Sequence, residues 1–140
     1  MIKRKKRSII SIFIGKVTKK GERNQAEREI LRCIEELELR GEGGVKTFIE
    51  AVENVSPLVH MKSKRKGGTT FRIPVEISEA RSNAVGIGWI LENIKGKRGE
   101  LKDQIYQEIV TAKAGRGRPI EKLKELHEFA RKNRGLVKFL

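Results

Sequence analysis

Apolar residues recur at helical spacing along most of the chain, and in one short stretch they alternate instead. Ile9, Ile10, Phe13, Ile14 and Val17 fall on one face and predict a first helix over 8–19 that ends before Gly21. Asn24, with Glu27 three residues on, forms a capping-box pattern. It opens a second helix whose stripe is Ala26, Ile30, Cys33, Ile34 and Leu37, closed by Gly41. Val45, Phe48, Ile49 and Val52 predict a short third helix, which Pro57 stops.

From Phe71 the period changes to two. Phe71, Ile73, Val75 and Ile77 alternate with Arg72, Pro74 and Glu76, the pattern of a strand with one buried face. The Gly67-Gly68 pair before it predicts a hairpin turn, so 58–77 is expected to form a β-hairpin. Helical spacing then returns. Ser78 is a suitable N-cap for a fourth helix with Ala80, Ala84, Ile87, Leu91 and Ile94 as its buried stripe and Val85 and Trp89 widening it. Leu101, Ile105, Tyr106, Ile109 and Ala112 suggest a fifth helix over 101–114. Pro119 suits the first turn of a sixth over 119–134, with Ile120, Leu123, His127 and Ala130 along one side. The expected fold is mostly α, a six-helix bundle with a protruding β-hairpin arm between helices three and four.

Length and composition narrow the class. At 140 residues and 16.0 kDa the chain is expected to form one domain, 1–140, with a basic N-terminal extension at 1–7, the arm at 58–77 and a C-terminal tail at 135–140. Cys33 is the one cysteine and falls in an apolar helical stripe, so it is expected to fill the core, and neither a disulfide nor a metal site is implied. No apolar run is long enough for a membrane span, and no small-residue cleavage site suggests export. The first 21 residues are acid-free, as a mitochondrial presequence would be. They run into a helix that the core needs, so they are expected to belong to the mature protein.

Charge changes the picture most. Lys and Arg number 32 against 18 Asp and Glu, a formal charge of +14, which points to a polyanionic partner. The charge is segregated: +8 over 1–21, −4 over 22–57, +5 over 58–75, −1 over 76–112 and +6 over 113–140. Lys62, Lys64, Arg65 and Lys66 crowd toward the hairpin turn with no acid nearby, which suits phosphate contact and counterion release. A solvated, charge-protected strand edge is the bland alternative. The second acid-free run, Lys3 to Arg7, and the basic last segment argue against it. Few aromatics accompany these cations, so phosphate and shape contacts are expected rather than base stacking.

The glycines of the turn are first of all conformational, and His127 is expected to be a hydrogen-bonded packing residue rather than a catalytic base. Glu121, Glu125 and Glu128, alternating with Lys122 and Lys124, suggest pairing within the last helix. Two other functions fit parts of the sequence. The helices at 101–114 and 119–134 could form a helix-turn-helix of a DNA-binding regulator, although its turn is long and the basic hairpin is left idle. An RNA-modifying or RNA-cleaving enzyme lacks a cofactor loop or an acid-base pair.

The residues Ala51 to Val59, Lys62 to Thr70 and Ile73 to Ile77 closely resemble the small-subunit ribosomal protein seven family. The likeness continues in Ala84 to Ile90, in Lys97-Arg98-Gly99, and in His127, Ala130, Asn133 and Arg134, and covers about residues 8–135. It implies a six-helix domain with a β-ribbon arm, a structural protein and no enzyme, needing no cofactor or metal. Such a protein binds the 3′ major domain of small-subunit ribosomal RNA and nucleates assembly of the subunit head. Its arm lies near the exit-site transfer RNA and the messenger RNA path, beside neighbouring head and platform ribosomal proteins and away from any membrane.

Carried onto this chain, the RNA-contacting candidates are Lys3, Arg4, Lys5, Lys6 and Arg7; Lys62, Lys64, Arg65, Lys66, Gly67 and Gly68; and Lys97, Arg98, Arg116 and Arg134. The chain departs from the family pattern at Lys66, usually apolar, at Gly88, usually Arg, and in the ending Val137 to Leu140. These departures suit an organellar copy, a mitochondrial one in preference to a plastid one, with a bacterial origin also open.

Overall fold

The computed structural model describes the backbone of residues 2–139 and the side chains of residues 9–138. Along them run α1 (Ile2–Val17), α2 (Arg23–Leu39), α3 (Gly44–Val55), β1 (Val59–Lys66), β2 (Thr69–Glu76), α4 (Glu79–Ile94), α5 (Leu101–Lys113), α6 (Arg118–Asn133) and a 3₁₀ helix (Arg134–Phe139). Six helices with a two-stranded ribbon between the third and fourth match the sequence expectation.

The stripes meet as their spacing requires. Ile9, Phe13, Ile30, Leu37, Phe48, Val52, Ile87, Ile90, Ile105 and Ile109 are buried in one contiguous cluster. Phe13 and Phe48 lie with ring centroids 5.0 Å apart and tilted by 58°, the inclined geometry that aromatic quadrupoles favour. Cys33 is fully buried, and burial pushes its thiol up to about 12, so it is an inert core filler.

Several local expectations change. The first helix begins at Ile2, so within the extension expected at 1–7 the described backbone, 2–7, is helical; the side chains of Lys3 to Arg7 lie outside the described residues. Helix α2 starts one residue before Asn24, with Glu22 at the N-cap and no side-chain capping bond, so the capping-box pattern is not used. On α4 the inward face is more polar than expected: Ala80 is exposed, Trp89 is half-buried, and Ser82, Asn83 and Gly86 are buried.

That inward face meets the end of α3. Ser82 Oγ donates to the Pro57 carbonyl, and Ser56 Oγ donates to the Val52 carbonyl (2.7 Å) with Asn83 Oδ1 close by at 3.1 Å. Buried hydroxyl and amide groups are costly unless paired, and here they are paired. Gly86 allows the approach, since a Cβ there would lie 3.1 Å from the Val55 carbonyl oxygen, Val55 Cγ2 and Ser56 Oγ.

Candidate nucleic-acid interface

The arm is an antiparallel ribbon in register from Val59 opposite Glu76 to Lys66 opposite Thr69. Gly67 and Gly68 have φ of +60° and +82°. A two-residue hairpin turn of the favoured hand needs positive φ at both positions, which glycine adopts without steric cost. Eight residues per strand at about 3.3 Å each give a ribbon on the order of 26 Å long.

Register assigns the faces. Residues directly opposite each other project to the same side. Lys62 is opposite Ile73, Lys64 opposite Phe71 and Lys66 opposite Thr69, so three lysines form a row on the side that carries the apolar residues of β2. The sequence suggested a cationic tip beyond an apolar stretch; the cations instead run alongside it. Lysine stems can lie on apolar surface while their ammonium groups stay in water. Ile73 is fully buried, Phe71 and Lys64 are half-buried, and Lys62, Arg65, Lys66, Gly67 and Gly68 are exposed.

The base of the arm is tied to the last helix. The Leu58 N–H donates to His127 Nε2 at 3.1 Å, and the Arg72 guanidinium lies 5.5 Å from the Phe129 ring centroid. The 3₁₀ helix, where a C-terminal tail was expected, packs along β2. His127 is thus the packing residue expected of it. Arg134 opens the 3₁₀ helix and lines a groove of about 670 Å³ at the arm's base with Leu58, Pro74 and Val137.

The other candidates lie elsewhere. Lys97 and Arg98 are in the loop after α4, whose 16 residues separate them from the arm by about 24 Å. Arg116 is in the loop before α6, and that helix, also of 16 residues, stands between it and Arg134. The candidates therefore form separate basic loci rather than one patch.

Electrostatic partners divide the cations into two groups. Several carboxylates of the helical body are matched by cations of the body. Lys102 meets Glu36 at 3.2 Å, Arg40 meets Glu36 at 2.7 Å, Lys122 meets Glu92 at 3.0 Å, and Lys113 pairs with Glu50. The Tyr106 hydroxyl donates to Glu42 at 2.8 Å. Burial, with that hydrogen bond and the Glu42 charge, pushes the Tyr106 phenol above its ordinary range, and the hydrogen bond to Glu36 followed by its charge holds Lys102 up. Glu92 takes Lys122, so the pairing expected within the last helix is partly an inter-helix bridge; Glu128 does pair within it, to Arg131 at 2.8 Å.

Lys97 belongs to this first group as well, 3.5 Å from the buried Glu108, which also accepts from Asn93 Nδ2 at 2.7 Å. In contrast, among the described residues Lys62, Lys64, Arg65, Arg98, Arg116 and Arg134 meet no carboxylate within ion-pair distance. Sequence reasoning missed Lys16, Lys19 and Lys95, which line one cleft with Lys97. Each sits at or just past a helix end, so linear spacing hid their proximity. Among the described residues there is no cluster of potential metal ligands, and no helix is long and apolar enough to cross a membrane.

Comparison with known proteins gives this arrangement a context. The family described as ribosomal protein S7p/S5e matches residues 2–134. Small ribosomal subunit protein uS7 of Fervidobacterium nodosum is 29% identical over 133 residues, covering 94% of this chain and 86% of that protein. Protein uS7 of Helicobacter hepaticus is 32% identical over 134 residues, with 94% and 86% covered. Protein uS7c of Bigelowiella natans is 35% identical over 135 residues, with 94% and 85% covered.

Proposed function

This chain belongs to the ribosomal protein S7p/S5e family, and on that premise we propose that it is a structural constituent of the small ribosomal subunit that clamps phosphates of small-subunit ribosomal RNA at several separate places. It is not an enzyme. Its work is electrostatic and geometric: cations held on rigid elements at fixed separations, matched to the surface of a folded RNA. The observation that carries this reading is the division of charge. The arm segment 58–75 carries five cations and no acid, and Lys62, Lys64 and Arg65 on the arm and Arg98, Arg116 and Arg134 outside it have no carboxylate partner among the described residues, whereas several of the body's carboxylates are paired to its own lysines and arginines. Surplus cations of that kind release counterions when they meet phosphate, which drives association with RNA.

In the finer reading, the RNA is the 3′ major domain, this chain nucleates assembly of the head, and the arm reaches toward the exit-site transfer RNA and the messenger RNA path among head and platform proteins. The Lys62–Lys64–Lys66 row supports a contact along a strand of backbone, because neighbouring cations on one face of a strand are about 6.6 Å apart, comparable to successive phosphates. Lys3 to Arg7 extend the same reading to the N-terminal turns of α1. The helix-turn-helix reading gains nothing from the fold, since it leaves the arm without a role.

Sedimentation tests the proposal. A tagged copy expressed in its source cell is expected to travel with the small subunit on a sucrose gradient and to leave it only at high salt. Recovery at the top of the gradient at low salt would overturn the reading. Fractionating the same cells decides between a mitochondrial, a plastid and a bacterial ribosome.

A further inference from the structure

We infer that His127 is a proton-operated latch for the arm: the neutral imidazole holds the chain at Leu58, where it enters β1, and the protonated imidazolium lets go of Leu58 and turns to Glu76 at the end of β2. It follows from the fold alone, so it stands whether or not the chain binds ribosomal RNA.

The bond that closes the latch exists in one protonation state only. The Leu58 N–H donates to His127 Nε2 at 3.1 Å, so that nitrogen offers its lone pair and the neutral ring carries its proton on Nδ1. In an imidazolium both ring nitrogens are donors. A proton on Nε2 would meet the Leu58 N–H head on, and attraction becomes repulsion. Imidazole is also the side chain that ordinarily changes charge between pH 5 and 8, so a modest change of pH operates the latch.

Opening it costs little on either side. Leu58 is 74% exposed, so its released N–H finds water, and His127 is only half-buried. Glu76 is exposed, shares the groove at the arm's base with His127, and stands opposite Val59, the residue after Leu58. Among the described residues it meets no cation within ion-pair distance, so it is free to take the imidazolium. Other charges flank the ring. Lys124 and Arg131 lie one turn before and after it on α6, with Arg131 held by Glu128 at 2.8 Å; Arg134 enters the groove from the 3₁₀ helix, and Arg72 of β2 lies over Phe129. These oppose protonation and Glu76 favours it. The segments α3, α4 and β1, which also pack on α6, put no charged side chain into the groove.

The arm's other ties are indifferent to this proton. The Arg72 guanidinium over Phe129 and the 3₁₀ helix both hold β2. Protonation therefore frees the entry to β1 while β2 stays docked, and the ribbon pivots on its base instead of detaching. A two-stranded ribbon is marginal by itself, so the loss of one tie at its base is felt along its length. A merely structural cap at this position would need an acceptor and nothing more, and would work equally at every pH.

The experiment follows the full-length protein, without RNA, by NMR and hydrogen exchange between pH 5 and 8, each exchange rate being corrected for its intrinsic value at that pH. The wild type is compared with His127→Gln, which keeps an acceptor but takes no proton, with Glu76→Gln, and with His60→Gln, which removes the chain's other imidazole. In the wild type the Leu58 amide resonance should move with the titration of the His127 ring as pH falls. Protection over Val59–Lys66 should drop about two- to tenfold, the loss of one hydrogen bond, with α3 and α5 unchanged. His127→Gln should keep one level of arm protection across the range, Glu76→Gln should move the midpoint to lower pH, and His60→Gln should follow the wild type. Arm protection that ignores pH in the wild type, a Leu58 amide that ignores the ring's titration, or the same pH dependence in His127→Gln would overturn the latch. An unmoved midpoint in Glu76→Gln would overturn the exchange of partners. Two of these readings come from the wild type itself and do not depend on how a variant folds.

Discussion

The backbone N–H of Leu58, the residue before the arm's first strand, donates to His127 Nε2 in the last helix at 3.1 Å. The two residues are 69 positions apart, and their bond fixes where a two-stranded ribbon leaves the helical body. Such a ribbon is marginal in water by itself. The bond, the Arg72 guanidinium over Phe129 and the 3₁₀ helix along β2 together give it a base.

Replacing His127 with Ala should loosen that base without unfolding the bundle. The site is solvent-facing, so the loss of one hydrogen bond should cost about 0.5–1.5 kcal/mol. Hydrogen exchange should show faster exchange across Val59–Lys66 and unchanged protection in α3 and α5. Equal protection of the arm in both proteins would show that the bond does not hold it.

Gly86→Val should destabilise strongly. The added atoms would press on the Val55 carbonyl and Ser56 Oγ, and backbone cannot step aside as the tip of a long side chain can. The expected cost is about 1–3 kcal/mol, despite the better helix propensity of the new residue, measured as a shift in the denaturation midpoint. Gly88→Ala, in the same helix with open space around it, is the control and should not destabilise.

Cys33 should resist thiol reagents in the native protein and react on unfolding. Its thiol is raised from 9.0 to about 12 by burial first and by the Glu36 charge second. The folded state keeps this proton where the unfolded chain has lost it. Stability from this group is therefore intact below about pH 9 and falls as pH rises toward about 12. Denaturation across that range should show a steeper decline in the wild type than in Cys33→Ala, since Tyr106 and Lys102, also held up in the folded state, lose stability in both proteins.

Lys97 and Arg98 are neighbours with different work. Lys97→Ala removes a partner of the buried Glu108 and should lower stability by about 0.5–1 kcal/mol, a modest value because the lysine is half in water. Arg98→Ala should leave the melting temperature alone and flatten the salt dependence of RNA binding. A reversal of the two outcomes would mean that their roles have been exchanged.

The fold was legible because each helix carries its own stripe. Phe13, Ile30, Phe48, Ile87 and Ile109 all lie where the periodicity puts them, and the Gly67-Gly68 pair makes the turn that its chemistry demands. What failed was local and polar. Asn24 and Glu27 have the spacing of a cap, but the helix starts at Arg23. Ala80 has the spacing of a core residue, but α4 meets α3 through Ser82, Asn83 and Gly86, where hydrogen bonds and close approach replace apolar burial.

The candidate site was legible as clusters of charge and illegible as geometry. Sequence marks Lys62, Lys64 and Lys66 as a run; only the register shows that they share a face with Phe71 and Ile73. Sequence also cannot show that Lys97 is spent on Glu108 while Lys16 and Lys95 converge from two helices, because pairing across a fold leaves no trace in linear spacing.

The most direct test of the central claim is the salt dependence of binding to small-subunit ribosomal RNA, with and without the arm's cations. If the protein neutralises six to ten phosphates, affinity should fall roughly a thousandfold or more between 50 and 200 mM salt. Changing Lys62, Lys64, Arg65 and Lys66 to Ala should flatten that dependence by up to about four units at an unchanged melting temperature. No binding at low salt, or an identical slope in the two proteins, would contradict the account.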